Sequence, residues 1–358
     1  MPQIQAEACR VSAGDMTKFC SGLLRRAGLE EQDALLVAES LVESNLRGID
    51  SHGVARLSHY LDRIAHGSIK PRPELRFTKI APALGLLDGG HGLGQIVMSR
   101  AANEAMGLAR DAGAGWVAVR NSSHCGALAF YCKKIADEGM IGVAFTHADS
   151  MVIPFAAGKP FCGTNPICVT APSEDGNHLC LDMATSIAPG NSVMNAALEG
   201  LPIPGDWGID DKGRSTTDPK AVIGLHPFGS YKGSGLGLVI DVLCSLLSGA
   251  PYGPDIPPMY GELDKNRRLG GLIGVIDPSR FEDISQFRRR VHEMLRRWQA
   301  LPAVDPTNPV LFPGQPELIT RQERLKTGIP LGPALMKQLA SVAGDLPLPW
   351  AENHRDTD

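Results

Sequence analysis

The stretch Ser51-His52-Gly53-Val54-Ala55-Arg56 is the point from which the organisation of this chain can be read. Ser51 is a residue type that caps the free N–H groups of a helix N-terminus. Apolar residues then recur at spacings of three and four from Val54 to Ile64, and Gly67 follows them. The pattern predicts an amphipathic helix that begins at Ser51 and ends at Gly67.

Two side chains of this stretch carry chemistry of their own. His52 and Arg56 are four residues apart, so a helix presents them on one face, one turn from each other. An imidazole can move a proton, and a guanidinium can hold a carboxylate. The alternative is a surface helix whose His and Arg are merely solvated, and the hexapeptide taken alone favours that interpretation.

Composition restricts the classes of function. The chain has 358 residues, which is enough for two domains, and 43% hydrophobic with 21% charged residues is typical of a globular enzyme-sized protein. The net charge of −4 is weakly acidic and does not favour a nucleic-acid partner or an anionic membrane. The apolar run from Leu236 to Leu247 is interrupted by Asp241 and is too short to span a bilayer.

The cysteines and the start of the chain indicate the compartment. Eight cysteines are scattered without a C-x-x-C pair, which predicts reduced thiols and no metal site. Residues 1–12 are polar and lack the apolar segment of a secretion signal. We therefore expect a cytoplasmic protein without a nucleic-acid or membrane partner.

Helical periodicity dominates the first 75 residues, and strands alternate with helices thereafter. Pro71 and Pro73 mark a stiff exit from the helical part. We expect a helical cap over residues 1–75, an α/β cofactor domain over 76–250, and a C-terminal segment over 251–358 that returns to the cap and the cofactor cleft. The tail from Trp350 onward is expected to be polar and frayed.

A glycine cluster follows the strand predicted at Leu84–Asp88. Its sequence, Gly89-Gly90-His91-Gly92-Leu93-Gly94, superficially resembles a dinucleotide-binding loop. The G-x-G-x-x-G spacing and the acidic residue about 20 positions further on are both missing. The sequence therefore argues against a Rossmann domain.

Four further positions are typical of ligand binding, and each has a plainer interpretation. His124 lies in a polar turn between a strand and a helix, where catalytic side chains are often displayed, but it can also cap or pack. Asp182 lies at the end of a strand, where its carboxylate can accept hydrogen bonds from ribose hydroxyls or cap the next helix. Lys232 lies among small residues just before a predicted helix, where phosphates bind, or is a flexible loop lysine. The polar turn Gly163-Thr164-Asn165-Pro166 leads into a strand and could contact a ligand, or it could be a β-turn without a further role.

Taken together and in this order, the stretches resemble the type-2 malate/L-lactate dehydrogenase family. The resemblance extends from Ser51 to Gln315. It is carried by Ser51-His52-Gly53 with Arg56, Asn121-Ser122-Ser123-His124 with Gly126, Gly163-Thr164-Asn165-Pro166, Leu181-Asp182-Met183-Ala184-Thr185-Ser186, Thr217-Asp218-Pro219 and Lys232-Gly233. Further stretches are most similar to the ureidoglycolate dehydrogenases of that family: Met151-Val152-Ile153-Pro154-Phe155, Met259-Tyr260-Gly261-Glu262-Leu263 and Phe312-Pro313-Gly314-Gln315.

The resemblance implies a fold and an activity. The fold is α/β, with a family-specific, non-Rossmann mixed-sheet cofactor domain and a helical cap built from N-terminal helices and C-terminal segments. The activity is hydride transfer between nicotinamide and a small 2-hydroxy acid, in a homodimer. Ureidoglycolate is the best match, and malate, lactate, sulfolactate or the reduction of a cyclic imino acid are the alternatives.

The resemblance also implies roles for individual residues. His124 corresponds to the catalytic acid/base, Ser51 and His52 to a proton relay, and Arg56 to the clamp on the substrate carboxylate, with Thr164 beside the substrate. The cofactor is NAD or NADP, with NAD slightly favoured. Its contacts are expected at Ala148, Asp182, Met183, Ala184, Lys232, Gly314, Gln315 and Pro316.

One stretch departs from the family pattern. After Ser186 the family usually has a variable run that ends in Gly-Lys or Gly-Asp, whereas this chain has Ile187-Ala188-Pro189-Gly190-Asn191-Ser192. The charged residue is missing, and with it any Asp that would complete an imine-reductase relay. Either the relay is dispensable here or the substrate differs.

The chemistry of the candidate residues suits the implied reaction. Oxidation of a secondary alcohol needs a base for the hydroxyl proton, and the reverse reaction needs an acid, so an imidazole serves both directions. Arg grips a carboxylate through two N–H groups, as Lys cannot. His124 is the expected acid/base with Ser51 and His52 assisting, although the sequence also allows the two histidines to exchange roles.

Two other classes remain to be weighed. A hydrolase that uses Ser51 and His52 is disfavoured, because adjacent helical residues point about 100° apart and no G-x-S-x-G elbow is present. A non-catalytic nucleotide-binding protein on the same scaffold would bind the cofactor without turnover.

Overall fold

The described part of the chain is built from alternating strands and helices. A computed structural model describes residues 9–350. The strands are β1 (Cys9–Val11), β2 (Arg76–Ala81), β3 (Leu84–Asp88), β4 (Ala114–Ser122), β5 (Ile141–Thr146), β6 (Ile167–Ala171), β7 (Leu179–Met183), β8 (Gly208–Ile209), β9 (Gly224–Leu225), β10 (Leu269–Ile276) and β11 (Ile329–Leu331). The helices are α1 (Ala13–Arg26), α2 (Glu31–Leu46), α3 (Leu57–Ala65), α4 (Gly94–Ala112), α5 (Ala129–Asp137), α6 (Gly190–Glu199), α7 (Tyr231–Asp241), α8 (Ile284–Gln299), α9 (Gln315–Thr327) and α10 (Pro333–Ala343).

The central sheet is mixed. Its seven strands have the order β2-β3-β4-β10-β5-β6-β7. Strands β3 and β4 pair in parallel, and the other neighbours pair antiparallel. A dinucleotide-binding Rossmann sheet is essentially parallel, so this arrangement confirms the predicted α/β class with a non-Rossmann cofactor domain.

Alternation of side chains along the strands gives the sheet two apolar faces. In β4, Val117 and Val119 pack against α4 and α5, whereas Trp116 and Ala118 pack against the α7 side. The backbone of β10 can approach the helical turn that follows α7 because Gly270 has no side chain: a Cβ there would lie 1.9 Å from the Cys244 carbonyl oxygen. Helices therefore cover both faces of the sheet.

A second core joins the two ends of the chain. Residues of α1, α2, α3 and α10 form one buried cluster, and β1 pairs antiparallel with β11 beside it. Trp350 is buried in this cluster, with its ring 5.9 Å from that of Phe19. The predicted fraying is therefore wrong at Trp350, and the rest of the predicted tail, residues 351–358, lies outside the described residues.

The predicted helix from Ser51 is wrong at its start. Asp50–His52 and Val54–Arg56 are two separate 3-10 turns, and the α-helix begins only at Leu57. The amide oxygen of Asn45 accepts the Val54 N–H at 2.8 Å and lies where a Cβ of Gly53 would be, so an upstream side chain replaces the expected Ser51 cap. The predicted end is confirmed, because α3 stops just before Gly67.

A second boundary is also corrected. Lys232 lies inside the first turn of α7 and not before the helix. The helix then continues as a π-turn over Val242–Leu246. Of the described helices, none is long and apolar enough to cross a membrane.

Candidate active site

The sheet topology explains why distant loops meet. Strands β4, β5 and β7 run in one direction and β6 and β10 in the other. The ends of the first three and the starts of the last two therefore share one edge of the sheet. The residues that follow or precede these strand ends are His124, Ala148, Thr164, Ala184 and Tyr260.

Two imidazoles form the centre of the site. The rings of His52 and His124 are stacked, with centroids 5.5 Å apart and planes inclined by 27°. Ser51 Oγ lies 2.9 Å from His52 Nδ1. The structure thus brings together the three residues expected to move the proton, across a sequence separation of more than seventy residues.

Arg56 is buried beside them. Its Nε donates to the Ser51 carbonyl at 2.7 Å, and its Nη1 contacts the Tyr260 hydroxyl and lies 3.8 Å from Met259 Sδ. The same Ser51 carbonyl accepts a second hydrogen bond, at 3.1 Å, from Asn191 Nδ2. The stretch that departs from the family pattern therefore lies in the site, with an amide where a charge was expected.

Burial keeps both imidazoles neutral near pH 7. It lowers the pKa of His124 well below its ordinary value, and the neighbouring His52 and Arg56 lower it further. Burial and the Arg56 charge lower the pKa of His52 to about 4. A neutral imidazole is the form that accepts a proton, so the site is prepared to act as a base.

Two residues that the sequence did not single out stand behind His124. Tyr60 Oη lies 2.7 Å from His124 Nδ1, and Gln95 Nε2 donates to Tyr60 Oη at 2.9 Å. Tyr60 follows Arg56 by four residues, as Arg56 follows His52, and this spacing was a signal that could have been used. Gln95 at the start of α4 gave no signal, because its role depends on burial.

The glycine cluster supports the catalytic loop. The Gly94 N–H donates to Ser123 Oγ at 2.9 Å. A Cβ on Gly94 would lie 2.4 Å from the Ser123 carbonyl oxygen and 2.6 Å from the His124 carbonyl. The glycine cluster that resembles a dinucleotide-binding loop therefore packs against the loop that carries His124 and holds it in place.

A cavity of about 370 Å³ lies next to these loops, and Asp182, Gly314 and Pro316 line it. Asp182 Oδ2 accepts the Ala129 N–H at 2.8 Å, and burial raises the pKa of Asp182 to about 6. Asp182 thus caps α5, a helix that precedes it in sequence. The Gln315 side-chain oxygen accepts the Phe312 N–H at 3.1 Å and so shapes the turn rather than the cavity.

Buried polar atoms in this cavity test whether a nucleotide fits. Arg47 Nε and Nη1 and Glu317 Oε2 have no hydrogen-bond partner within residues 9–350, and both residues line the cavity. Such atoms call for a ligand with both donors and acceptors. Ribose hydroxyls and an adenine ring provide both, so the cavity fits the adenosine part of a nicotinamide cofactor.

The remaining predicted contacts lie elsewhere on the same loops. The Ala148 N–H donates to Asn165 Oδ1 at 3.3 Å, and the Thr164 carbonyl accepts the Thr185 N–H at 2.8 Å. Lys232 is exposed and does not line the cavity of Asp182; its neighbours Tyr231 and Gly233 line another, of about 400 Å³. Met183 and Ala184 continue from Asp182 towards Thr185. In the described range, no cluster of His, Cys, Asp or Glu could hold a metal ion.

Two neutral imidazoles beside a buried guanidinium suit a substrate that has both a carboxylate and an exchangeable proton. Comparison with known families agrees: a family model described as malate/L-lactate dehydrogenase matches residues 11–340, and the chain belongs to that family. It is therefore an oxidoreductase of the EC 1.1.1 type, and its family uses a nicotinamide cofactor.

Individual relatives cover nearly the whole chain. A ureidoglycolate dehydrogenase (NAD(+)) of Escherichia coli O157:H7 is 33% identical over 93% of this chain and 96% of that protein. A malate dehydrogenase of Pyrococcus horikoshii is also 33% identical, over 93% of this chain and 94% of that protein. The crystal structure of malate dehydrogenase from Entamoeba histolytica superposes with a TM-score of 0.91 at 28% identity, over 96% of this chain and all (100%) of that one.

Proposed function

We propose that this protein oxidises a small 2-hydroxy acid with a single carboxylate, that ureidoglycolate is its substrate, and that NAD is its cofactor. The observation that carries the proposal is the arrangement of Arg56 against the two stacked imidazoles. Nicotinamide supplies the hydride acceptor when bound. The protein residues orient the substrate, exclude water and move one proton.

Each residue has a separate task. Arg56 holds the substrate carboxylate, because its guanidinium is already oriented by the Ser51 carbonyl and the Tyr260 hydroxyl. His124 Nε2 exchanges the hydroxyl proton, since its Nδ1 is occupied by Tyr60. Ser51 and His52 assist as the second proton-exchanging pair. Ala148, Asp182, Met183, Ala184, Lys232 and Gly314–Pro316 are the proposed cofactor contacts, with Thr164 on the substrate side.

The two further cations that contact the segment before Tyr260 are engaged, which favours a monocarboxylate. Arg63 donates to the Pro258 and Met259 carbonyls at 2.9 and 2.8 Å. Arg267 pairs with Asp149 and donates to the Pro257 carbonyl at 3.0 Å. Malate or sulfolactate would need a second free cation for its second anionic group. A neutral ureido group needs only hydrogen bonds, and the amide of Asn191 lies nearby.

The cavity of Asp182 favours NAD. Its lining includes two carboxylates, Asp182 and Glu317, and one cation, Arg47. The carboxylates accept hydrogen bonds from ribose hydroxyls, and the excess of negative groups disfavours a 2′-phosphate. Fluorescence titration should give a lower Kd for NADH than for NADPH. The ratio of the two Kd values should be smaller in Glu317→Gln, because one of the two carboxylates is neutralised. Equal or tighter NADPH binding by the unchanged protein would contradict the assignment to NAD.

A substrate screen tests the function itself. Purified protein is assayed for reduced-nicotinamide absorbance with ureidoglycolate, lactate, malate and sulfolactate, and in the reverse direction with a cyclic imino acid. We expect the highest kcat/KM with ureidoglycolate. A preference of tenfold or more for malate or sulfolactate would contradict the single-carboxylate argument, and preferred reduction of the imino acid would assign the chain to the reductases.

The assembly and the compartment are proposed on separate grounds. The outward side of α7 and the following turn exposes Leu238, Val239, Val242, Leu246 and Leu247, which we call the apolar α7 face. We propose that two copies meet there as a homodimer. All eight cysteines are free thiols, most of them buried, which supports a cytoplasmic location.

A further inference from the structure

A buried chain of three side chains, Gln95, Tyr60 and His124, extends from the interior to the active site. The distances are 2.9 Å from Gln95 Nε2 to Tyr60 Oη and 2.7 Å from Tyr60 Oη to His124 Nδ1. Tyr60 and Gln95 are both fully buried, each at 0% exposure. The protein alone therefore decides the direction of these hydrogen bonds.

The direction follows from the few hydrogens available. Tyr60 has a single O–H, so when Gln95 donates to its oxygen, Tyr60 donates to His124 Nδ1. The Gly126 N–H also faces Nδ1, at 3.4 Å, and can only donate. In this arrangement Nδ1 is an acceptor, and the proton of the neutral ring lies on Nε2, the ring nitrogen that does not contact Tyr60.

The amide of Gln95 offers the opposite direction as well. Its Oε1 is buried and has no hydrogen-bond partner within the described range. A half-turn of the amide group exchanges its oxygen and nitrogen, which brings the oxygen within reach of Tyr60 Oη. Tyr60 then donates to Gln95, its oxygen accepts from His124 Nδ1–H, and Nε2 carries no proton.

We propose that Gln95, acting through Tyr60, is a positioning residue that sets which nitrogen of His124 carries the proton, and that its amide turns over between the two arrangements. The proposal rests on the proposed role of His124. With Tyr60 donating to Gln95, Nε2 takes the hydroxyl proton, the O–H electron pair stays on the substrate oxygen, and the ring becomes an imidazolium whose Nδ1–H remains on Tyr60. With the opposite direction, Nε2–H can only donate, which suits the carbonyl oxygen of the oxidised product.

The test reads the tautomer directly. Protein labelled with ¹⁵N-histidine is examined by two-bond ¹H–¹⁵N correlation without substrate, and the His124 signals are identified by their loss in His124→Asn. Gln95→Glu keeps an acceptor and should shift His124 to the Nδ1–H form. Gln95→Met removes the amide, so Tyr60 donates to Nδ1 and the Nε2–H form should increase.

Kinetics provide the second readout. Gln95→Met should lower kcat for oxidation by about ten- to a hundredfold with little change in KM, as outer hydrogen-bond partners of a histidine typically do. Gln95→Glu should restore much of the kcat. Tyr131→Phe is the matched control: Tyr131 is equally buried, but its hydroxyl donates to the Cys125 carbonyl and not to His124. It should leave the His124 tautomer unchanged.

Unchanged His124 signals in both Gln95→Glu and Gln95→Met would overturn the proposal, whatever happens to kcat, because a merely structural role predicts that result. The spectra need no turnover. If they change as expected but none of the tested acids is oxidised, the proposed function fails while the link from Gln95 to His124 stands.

Discussion

Arg56 shows how one buried side chain acquires a role from its neighbours. Its guanidinium is oriented on one side by the Ser51 carbonyl and on the other by the Tyr260 hydroxyl. A charge buried in this way is stable only with partners, and a substrate carboxylate would be its anionic one. The guanidinium is thus held ready before the substrate binds.

Arg56→Lys is expected to lower kcat/KM for the preferred hydroxy acid by about thirtyfold, equivalent to about 2 kcal/mol. A lysine ammonium lacks the planar pair of N–H groups that matches the two carboxylate oxygens, and it has no counterpart of the Nε–H that donates to the Ser51 carbonyl. Steady-state kinetics measure the effect. Arg297→Lys, on the exposed side of α8, is the control and should leave kcat/KM unchanged. A change of less than twofold for Arg56→Lys would show that it is not the clamp.

The pKa of His52 gives a pH dependence of stability. It is lowered from 6.5 to about 4 in the folded protein. Between these values the unfolded chain binds more protons than the folded one, so stability falls as pH decreases through this window. The drop in Tm between neutral pH and about pH 5 should therefore be smaller in His52→Asn than in the unchanged protein.

The control for this prediction is an exposed histidine. His66→Asn, at the end of α3, should leave the drop in Tm as it is in the unchanged protein. Equal drops in all three proteins would mean that His52 titrates in the folded state as it does in the unfolded chain.

At the scale of single residues, the chemically reactive side chains could be predicted from the sequence, whereas the residues that position them could not. His52, His124 and Arg56 stand out by chemistry and spacing. Arg47, Gln95 and Glu317 matter because each has at least one buried polar atom without a hydrogen-bond partner in the described part of the chain. Burial depends on residues far away in sequence. Lys232, expected beside a phosphate, is exposed in the first turn of α7, and its contact with the cofactor stays a prediction.

At the scale of elements, the region from β3 to β5 followed its sequence pattern. Each strand there has an uninterrupted apolar run, and each helix ends at a glycine. The exceptions have local causes. The helix expected to begin at Ser51 begins later because the side chain of Asn45, six residues upstream of Ser51, accepts the Val54 N–H. Strands β1 and β11 have three residues each, which is too short for a recognisable sequence pattern, and they are defined by pairing with each other.

The division of the chain at residues 75 and 250 stays a prediction, and one element complicates it. Strand β10 lies in the expected C-terminal segment, yet it occupies the middle of the sheet between β4 and β5. A strand in that position must be present for the sheet to form. We therefore infer that residues 76–250 would not fold alone.

Gly94→Ala tests whether α4 seats the loop that carries His124. The new Cβ would lie 2.4 Å from the Ser123 carbonyl oxygen, so the loop must move. We expect a loss of kcat of tenfold or more together with a lower Tm. Gly107→Ala on the same helix is the matched control, because a Cβ there meets nothing within 4 Å. It should raise stability by about 0.5–1 kcal/mol and leave kcat unchanged. Wild-type kcat in Gly94→Ala would show that the loop is held by other contacts.

At the scale of the molecule, the site depends on both ends of the chain. Arg324 of α9 donates to the Asn45 carbonyl and pairs with Asp50, directly before Ser51 and His52. The C-terminal α9 thus fixes the turns of the first third of the chain. Neither segment alone contains a sequence pattern that indicates this contact. The residues of the site could therefore be predicted from the sequence, whereas the residues that hold them in place could not.

The apolar α7 face predicts the oligomeric state. Its five side chains, Leu238, Val239, Val242, Leu246 and Leu247, are each between 46% and 61% exposed. The opposite side of the same helix, with Ile240 and Cys244, is buried against the sheet. A helix that is apolar on both sides is stable in water only when its outer side is also covered. A two-fold symmetric pair covers both copies at once.

Light scattering during gel filtration should therefore give twice the chain mass of 38.2 kDa for the unchanged protein. Leu238→Asp places a charge within the proposed interface and should give 38.2 kDa. Phe281→Asp is the control, because Phe281 is even more exposed, at 82%, but lies outside the apolar α7 face. Unchanged circular dichroism in both variants would show that the mass reports association and not unfolding. A monomeric mass for the unchanged protein would contradict the homodimer. A dimeric mass for Leu238→Asp would show that the two copies meet at another surface.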